Sequence, residues 1–329
     1  MAKTDDTPAP ADQTAAQDLA DRVRAGERRA IALALTEVER QTPVSRALLQ
    51  AMRRHLGRAL TIGFTGPPGA GKSTLVDAMV RALRADGRTV GVIAVDPSSP
   101  LSGGAILGDR IRMTSALDDD GVFVRSLAAR GHLGGLTPAA VRMIDVLDAA
   151  GFDIVMLETV GTGQSEIDVA EVTDVRVVVS APGLGDDIQA MKAGLLEIAD
   201  VLVVNKADRD GAERTMQQLL SRATVRTSLR TPTPVLKTIA TTGDGVGDLL
   251  AAIDKVALRR MAAGSQSRRR TRARYLIARA AADLIAAEIR EAPVGQIEQL
   301  ADAVLDGTLS ANEAAARLIA RKTAGGDQT

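Results

Sequence analysis

The 329-residue chain has no cysteine and no tryptophan, and only one tyrosine and three phenylalanines. Without thiols there can be no disulfide, thiolate metal site or cysteine nucleophile. With aromatics at 1%, the core falls to Ala, Val, Leu and Ile, and base-stacking platforms are not expected. Neither charge is in excess: 41 basic and 41 acidic side chains give a net charge of zero, which argues against a dedicated nucleic-acid binder. No stretch is long and apolar enough to span a bilayer. The first arginine is Arg22, and the run before it has neither a secretory apolar region nor an Arg-rich transit character. The expectation is a cytoplasmic protein with no membrane and no nucleic-acid partner.

What is present is ordinary globular material, 45% hydrophobic and 25% charged, enough for one large α/β domain with helical additions. Residues 1–15 have too few apolar groups to pack and are expected to be a disordered tail. Over 16–58, Leu19, Val23, Ile31, Leu35, Val38, Leu48, Met52 and Leu56 recur at helical spacing, predicting two or three helices with a break near "QTPVS". From Ala59 to about 258 the pattern becomes short apolar runs separated by helical stretches. The runs are "ALTIGFT", "TVGVIAVD", "VFVRS", "FDIVMLE", "VRVVVS", "VLVVNK" and "TPVLKTI". Runs buried on both faces and joined through helices indicate a mostly parallel sheet in a three-layer domain. Residues 259–329 read as helix again, with breaks near "AAGSQS", "APVG" and "DGTLS".

The most specific motif is "GPPGAGKST", comprising Gly66, Pro67, Pro68, Gly69, Ala70, Gly71, Lys72, Ser73 and Thr74. It fits G-x-x-x-x-G-K-[ST] between a strand and a helix, the context that separates a phosphate-binding loop from a chance glycine-rich turn. Backbone N–H groups of such a loop surround phosphates. Lys72 would reach the β/γ-phosphates and the Ser73 hydroxyl would bind Mg²⁺. The fold class expected is therefore an α/β, three-layer P-loop NTPase with helical N- and C-terminal extensions.

Other motifs read the base and the metal. "VLVVNKAD" places Asn205, Lys206 and Asp208 at a late strand end. A carboxylate at Asp208 can accept from guanine N1–H and N2–H together, a donor pair adenine does not present, and the Lys206 stem can lie along the base. Asp96 ends the strand after the P-loop helix, and Asp109 lies in "GGAILGDRIRM". Both are candidates for Mg²⁺ or its waters, the alternatives being a turn cap and a solvated acid. In "VMLETVGTGQSE", Glu158 would hold the metal shell and Gly161 would offer its N–H to the γ-phosphate. Gln164 stands three residues beyond that glycine, a displaced place for a water-positioning glutamine. "RRRTRAR", Arg268 to Arg274, reads as a solvated helix start or a docking patch, and His132 as a loop residue or a ligand contact.

Together these stretches, with "ARGHLGGL" and "DDIQAMKAG", resemble the MeaB/ArgK-like family of P-loop GTPases, which includes the human methylmalonic aciduria type A protein. The resemblance implies a GTP-hydrolysing chaperone, with GTP/GDP and Mg²⁺, of an adenosylcobalamin-dependent acyl-CoA mutase, protecting it and gating cofactor loading. It implies that glutamate at 158 is the family's rule, and that Asp96 and Asp109 belong to the metal network. It implies that Gly183 to Gly194 is a third loop, where Gln189 and Lys192 are candidates for stimulated hydrolysis. It places Ile239, Ala240 and Thr241 beside the base, through backbone only, since Ile239 stands where the family usually has serine. It also implies a mutase-facing N-terminal part and a C-terminal arm that makes a homodimer. Two other functions fit a P-loop: a nickel or cobalt metallochaperone, which the lack of cysteine and the two histidines oppose, and a small-molecule kinase, which "NKAD" and "ETVG" fit poorly.

Overall fold

The computed structural model describes residues 9–96, 119–128, 136–159, 165–184, 193–224, 233–261, 264–291 and 294–317. Three helices come first: α1 (Pro10–Arg24), α2 (Arg28–Arg40) and α3 (Pro43–Met52). The tail expected over 1–15 is therefore too long, because α1 already starts at Pro10. Its proline at the first position and Asp12 in the first turn suit a helix N-terminus, and Ala16 and Leu19 bury its inner face. The "QTPVS" break is the start of α3. There Thr42 accepts a hydrogen bond from the Ser45 N–H and Pro43 opens the helix. In α2 the buried side chains Ala30, Ile31, Ala34, Leu35 and Val38 form one apolar stripe.

The main sheet has seven strands: β1 (Leu60–Thr65), β2 (Val90–Asp96), β3 (Val122–Ala128), β4 (Ile154–Thr159), β5 (Val175–Ser180), β6 (Val201–Asn205) and β7 (Val235–Thr238). Their order is β3-β2-β4-β1-β5-β6-β7. Every pairing is parallel, so a mostly parallel sheet was the right expectation for what is a fully parallel one. Strands β1, β4 and β6 are buried at every position, which is why they read as mostly apolar runs. Helices α4 (Lys72–Ala85), α5 (Pro138–Ala149), α6 (Ser165–Val172), α7 (Ala193–Ile198), α8 (Ala212–Thr224) and α9 (Val246–Met261) connect and cover them. One apolar cluster packs α4 and α9 on the sheet around Phe64, Leu75, Met79, Val177 and Ile253. A second joins Val178, Leu195, Leu202 and Leu219.

β1 is central, and its neighbours β4 and β5 lead in opposite directions across the sheet. Chain order thus reverses beside the strand that feeds the P-loop, the place where open α/β sheets bind ligands.

Beyond the sheet lie α10 (Ser265–Glu291), α11 (Val294–Leu305) and a helical segment α12 at 311–317. The chain divides into two compact units at Arg272, not near 258. Helix α9 belongs to the core through Val246, Leu249, Ile253 and Ala257, as the expected domain had it, and the boundary lies beyond it. The first turns of α10 follow it, since the Arg272 guanidinium is buried against β1 and α6. No helix among the described residues is long and apolar enough to cross a membrane.

Candidate functional site

The P-loop runs from the end of β1 into α4, and two of its glycines, Gly66 and Gly71, are set by close approaches. Gly66 has φ 138°, and a Cβ there would lie 2.0 Å from the Val179 carbonyl oxygen. Gly71 has φ 87°, and a Cβ would lie 2.5 Å from Nδ2 of Asn205. Neither position accepts an L side chain without moving β5 or β6. Gly66, Pro67 and Ala70 are buried, while Pro68 and Gly69 are exposed at the tip.

Inside this loop the Lys72 ammonium is buried and donates to the carbonyls of Gly66 at 2.9 Å and Pro67 at 3.0 Å. Its charge therefore already sits under the loop, where phosphate oxygens would replace those carbonyls. The next side chain points to β4: Ser73 Oγ donates to Glu158 Oε1 at 2.7 Å, and both residues are buried. A hydroxyl and a carboxylate brought together beside the P-loop are hard oxygen donors of the kind Mg²⁺ uses. These residues fit the metal expected from the sequence. Thr74 is half-buried in the first turn of α4.

The guanine motif braces the loop from the other side. Asn205 Nδ2 donates to Ala70 O at 2.9 Å and Gly71 O at 3.3 Å. Its Oδ1 accepts from Thr238 Oγ1 and from the Ala240 N–H, both at 3.2 Å. One buried amide thus ties β6, the P-loop and the loop after β7. Lys206 takes φ 57°, an uncommon left-handed conformation for a non-glycine residue. Its Nζ reaches Gly69 O at 2.7 Å, laying the side chain along the P-loop. Asp208 follows on an exposed turn, which is held by Ala207 N–H to Thr238 O at 3.1 Å and Arg209 N–H to Lys206 O at 3.0 Å. After β7, Ile239 N–H donates to Asp244 O at 2.9 Å, and Thr242 and Gly243 N–H return to Ile239 O at 3.1 and 2.9 Å. This closed turn buries Ala240 and exposes Thr241. Ile239, which departs from the serine expected there, serves the turn through its backbone.

The structure thus brings together Lys72, Ser73, Glu158, Asn205, Lys206 and Ala240. Asp109, Gly161, Gln164, Gln189, Lys192 and His132 lie outside the described residues, and of Asp96 only the backbone at the end of β2 is described. Sequence reasoning missed Thr238, whose hydroxyl orients Asn205; its place at the end of "VLKT", level with Asn205, was the available signal. It also missed Arg272, hidden in an arginine run.

A parallel sheet whose central strand opens into this loop, with Ser73 joined to the β4 carboxylate, defines a P-loop NTPase, and the Asn205–Lys206–Asp208 element marks the guanine-nucleotide branch. The family model described as methylmalonyl-CoA mutase-associated GTPase MeaB matches residues 29–294, and the chain belongs to this family of P-loop GTPases. It is 42% identical to a putative GTPase of Pyrococcus horikoshii over 91% of this chain and 95% of the relative. It is 46% identical to the GTPase ArgK of Escherichia coli over 57% of this chain and 58% of that protein. It is 39% identical to the mitochondrial methylmalonic aciduria type A homolog of Mus musculus over 56% of this chain and 48% of that one. A solved structure titled LAO/AO transport system kinase superposes with a TM-score of 0.74 at 28% identity, covering 94% of this chain and 98% of its own.

Proposed function

We propose that the chain hydrolyses GTP and acts as the GTP-dependent chaperone of an adenosylcobalamin-dependent acyl-CoA mutase of the methylmalonyl-CoA mutase type. In this role it protects the mutase and gates cofactor loading. The observation that carries the hydrolytic half is the Ser73–Glu158 hydrogen bond of 2.7 Å beside a P-loop lysine. The mutase half is supported by the family's description as mutase-associated.

In this reading Lys72 exchanges its two loop carbonyls for β- and γ-phosphate oxygens, and the P-loop N–H groups hold the rest of the phosphate chain. Asn205 keeps the loop in register with the base-reading turn, where Asp208 selects guanine. Ser73 and Glu158, with Asp96 and Asp109, would hold Mg²⁺, which when bound neutralises charge on the β/γ oxygens. Water is positioned for attack by Gln189 or Lys192 of the third loop, because Gln164 is displaced. Ile277 and Leu284, seven residues apart on α10 and 69% and 71% exposed, supply an apolar stripe for a homodimer.

Purified protein with GTP and Mg²⁺, with and without an adenosylcobalamin-dependent acyl-CoA mutase, tests this. Stimulated phosphate release and capture of the mutase by the protein loaded with a non-hydrolysable GTP analogue are expected. Indifference to such mutases, together with phosphoryl transfer to an added small molecule, would overturn it in favour of a kinase.

A further inference from the structure

Helix α5 is buried at every position except Pro138, Arg142 and Asp145, which form one narrow stripe at i, i+4 and i+7. On this stripe Asp145 faces Arg272, its Oδ1 3.9 Å from the guanidinium Nη1. Arg142, one turn earlier, is half-buried, and its guanidinium meets no carboxylate and no hydrogen-bond acceptor among the described residues. The charge that bears on it is a like one, Arg46 of α3, the helix packed beside α5. Burial, and after it this second guanidinium, lower the Arg142 pKa from the ordinary arginine value.

Half-buried arginines elsewhere in the domain are paired. Arg84 meets Asp119 at 2.8 Å, Arg88 meets Asp254 at 2.9 Å, Arg125 meets Glu39 at 2.7 Å and Arg176 meets Asp200 at 2.7 Å. A guanidinium stays charged at neutral pH, so holding one half out of water beside another cation has a cost that an internal acid would remove. The neighbouring sequence offers none. Between Glu39 and Asp77 there is no acidic residue, yet Arg46, Arg53, Arg54 and Arg58 all fall there. Glu39 is already engaged by Arg125, and Asp148 of α5 by the N–H groups of Arg58 and Ala59, at 3.0 and 2.8 Å. Arg53 and Arg54 lie in the 3-10 turn that follows α3 and packs on α5. They and Arg58 are exposed, with no ion pair among the described residues.

We propose that Arg142 and Arg46, flanked by Arg53, Arg54 and Arg58, form a docking site for an acidic segment of a protein partner, whose carboxylates supply the anion this surface lacks. Guanidinium forks match carboxylates through parallel N–H donors. A nucleic acid is the poorer fit, because α3, the turn after it and α5 hold no Phe, Tyr or Trp on which bases could stack. A membrane surface is poorer too. Among the described residues the exposed large apolar side chains lie on α2, α9, α10 and α11, so none is available here to enter a bilayer. The inference stands apart from the GTPase reading, since none of these arginines belongs to the P-loop or the guanine motif.

The test titrates the full-length protein with fluorescent poly-L-glutamate, single-stranded DNA and phosphatidylserine vesicles, at low and high salt. Arg142→Gln and Arg46→Gln are compared with a control, Arg214→Gln, at an exposed position of α8. Poly-L-glutamate should bind most tightly of the three and weaken with salt. Arg142→Gln and Arg46→Gln should each lower its affinity about fivefold, with Arg214→Gln unchanged. Without any ligand, Arg142→Gln should melt higher than the wild type, because an uncompensated charge has been removed. A residue kept for the fold would instead melt lower on substitution, and that result overturns the proposal. So does any of the following: no binding of poly-L-glutamate, tighter binding of DNA or vesicles, equal affinity in wild type and Arg142→Gln, or an equal loss in Arg214→Gln.

Discussion

The side-chain amide of Asn205 spans from Ala70 O, 2.9 Å from its nitrogen, to the Ala240 N–H, 3.2 Å from its oxygen. A single buried residue therefore fixes the P-loop against the turn after β7. Asn205→Ala strands the Ala70 carbonyl and the Ala240 N–H in the interior, at about 1–3 kcal/mol for the unsatisfied groups. We expect GDP affinity to drop about tenfold or more, measured by titration calorimetry, with a lower melting temperature even without nucleotide. Unchanged GDP binding would show that the loop holds its shape without this brace.

Ser73 and Glu158 form the buried pair proposed to hold Mg²⁺. Ser73→Ala removes one oxygen donor and also leaves the buried Glu158 carboxylate without its hydroxyl partner. The Mg²⁺ concentration for half-maximal GTP hydrolysis should rise about tenfold, with GDP binding in the absence of metal little altered. Equal Mg²⁺ dependence in the two proteins would place the metal elsewhere.

At Gly66 the constraint is geometric. Alanine would need φ 138° and would meet the Val179 carbonyl at 2.0 Å, so β1 and β5 must part. Gly66→Ala should lose about 2 kcal/mol or more of stability in chemical denaturation, along with nucleotide binding. The same change at Gly69, where φ is 76° but nothing lies within 4 Å, should cost only the backbone term, about 1 kcal/mol.

Asp145 gives the domain a pH dependence of defined sign. Burial raises its carboxyl from 3.8 to about 6; the Arg272 and Arg269 guanidinia oppose this shift and the neighbouring Asp148 reinforces it. Between pH 4 and 6 the folded protein keeps a proton that the unfolded chain has released. This group's contribution therefore falls as pH rises through that window and is flat above it. Its side chain is 24% exposed, so we expect an effect on the order of 1–2 kcal/mol. Asp145→Asn should flatten that part of the urea-denaturation profile and be the more stable protein at pH 7. A profile unchanged by the substitution would assign the slope to other carboxylates.

Much of this was legible along the chain. Seven runs became seven strands, most plainly β1, β4 and β6, which are buried at every position and show no exposed polar alternation. "GPPGAGKST" and "NKAD" were readable because phosphate and guanine recognition rely on backbone amides and side chains only a few residues apart. Arg272 was not legible: among its neighbouring arginines it is chemically ordinary, and only packing decides that it is buried against Val172 and Thr61 while Arg270 is exposed. Asp145 and Asp148 looked like two acids on one helix. Yet Asp148 is spent on the N–H groups of Arg58 and Ala59, at 3.0 and 2.8 Å, and Asp145 is pushed toward neutrality.

The sequence by itself determined the class of sheet, the P-loop motif between β1 and α4 and the strand end that carries Asn205, since each depends on local spacing or on the hydrophobicity of one segment. Tertiary structure decided which acid is paired, which arginine is buried and which asparagine oxygen meets which N–H. Those outcomes depend on desolvation and on contacts between residues as far apart as Thr61 and Arg272, which no local pattern encodes.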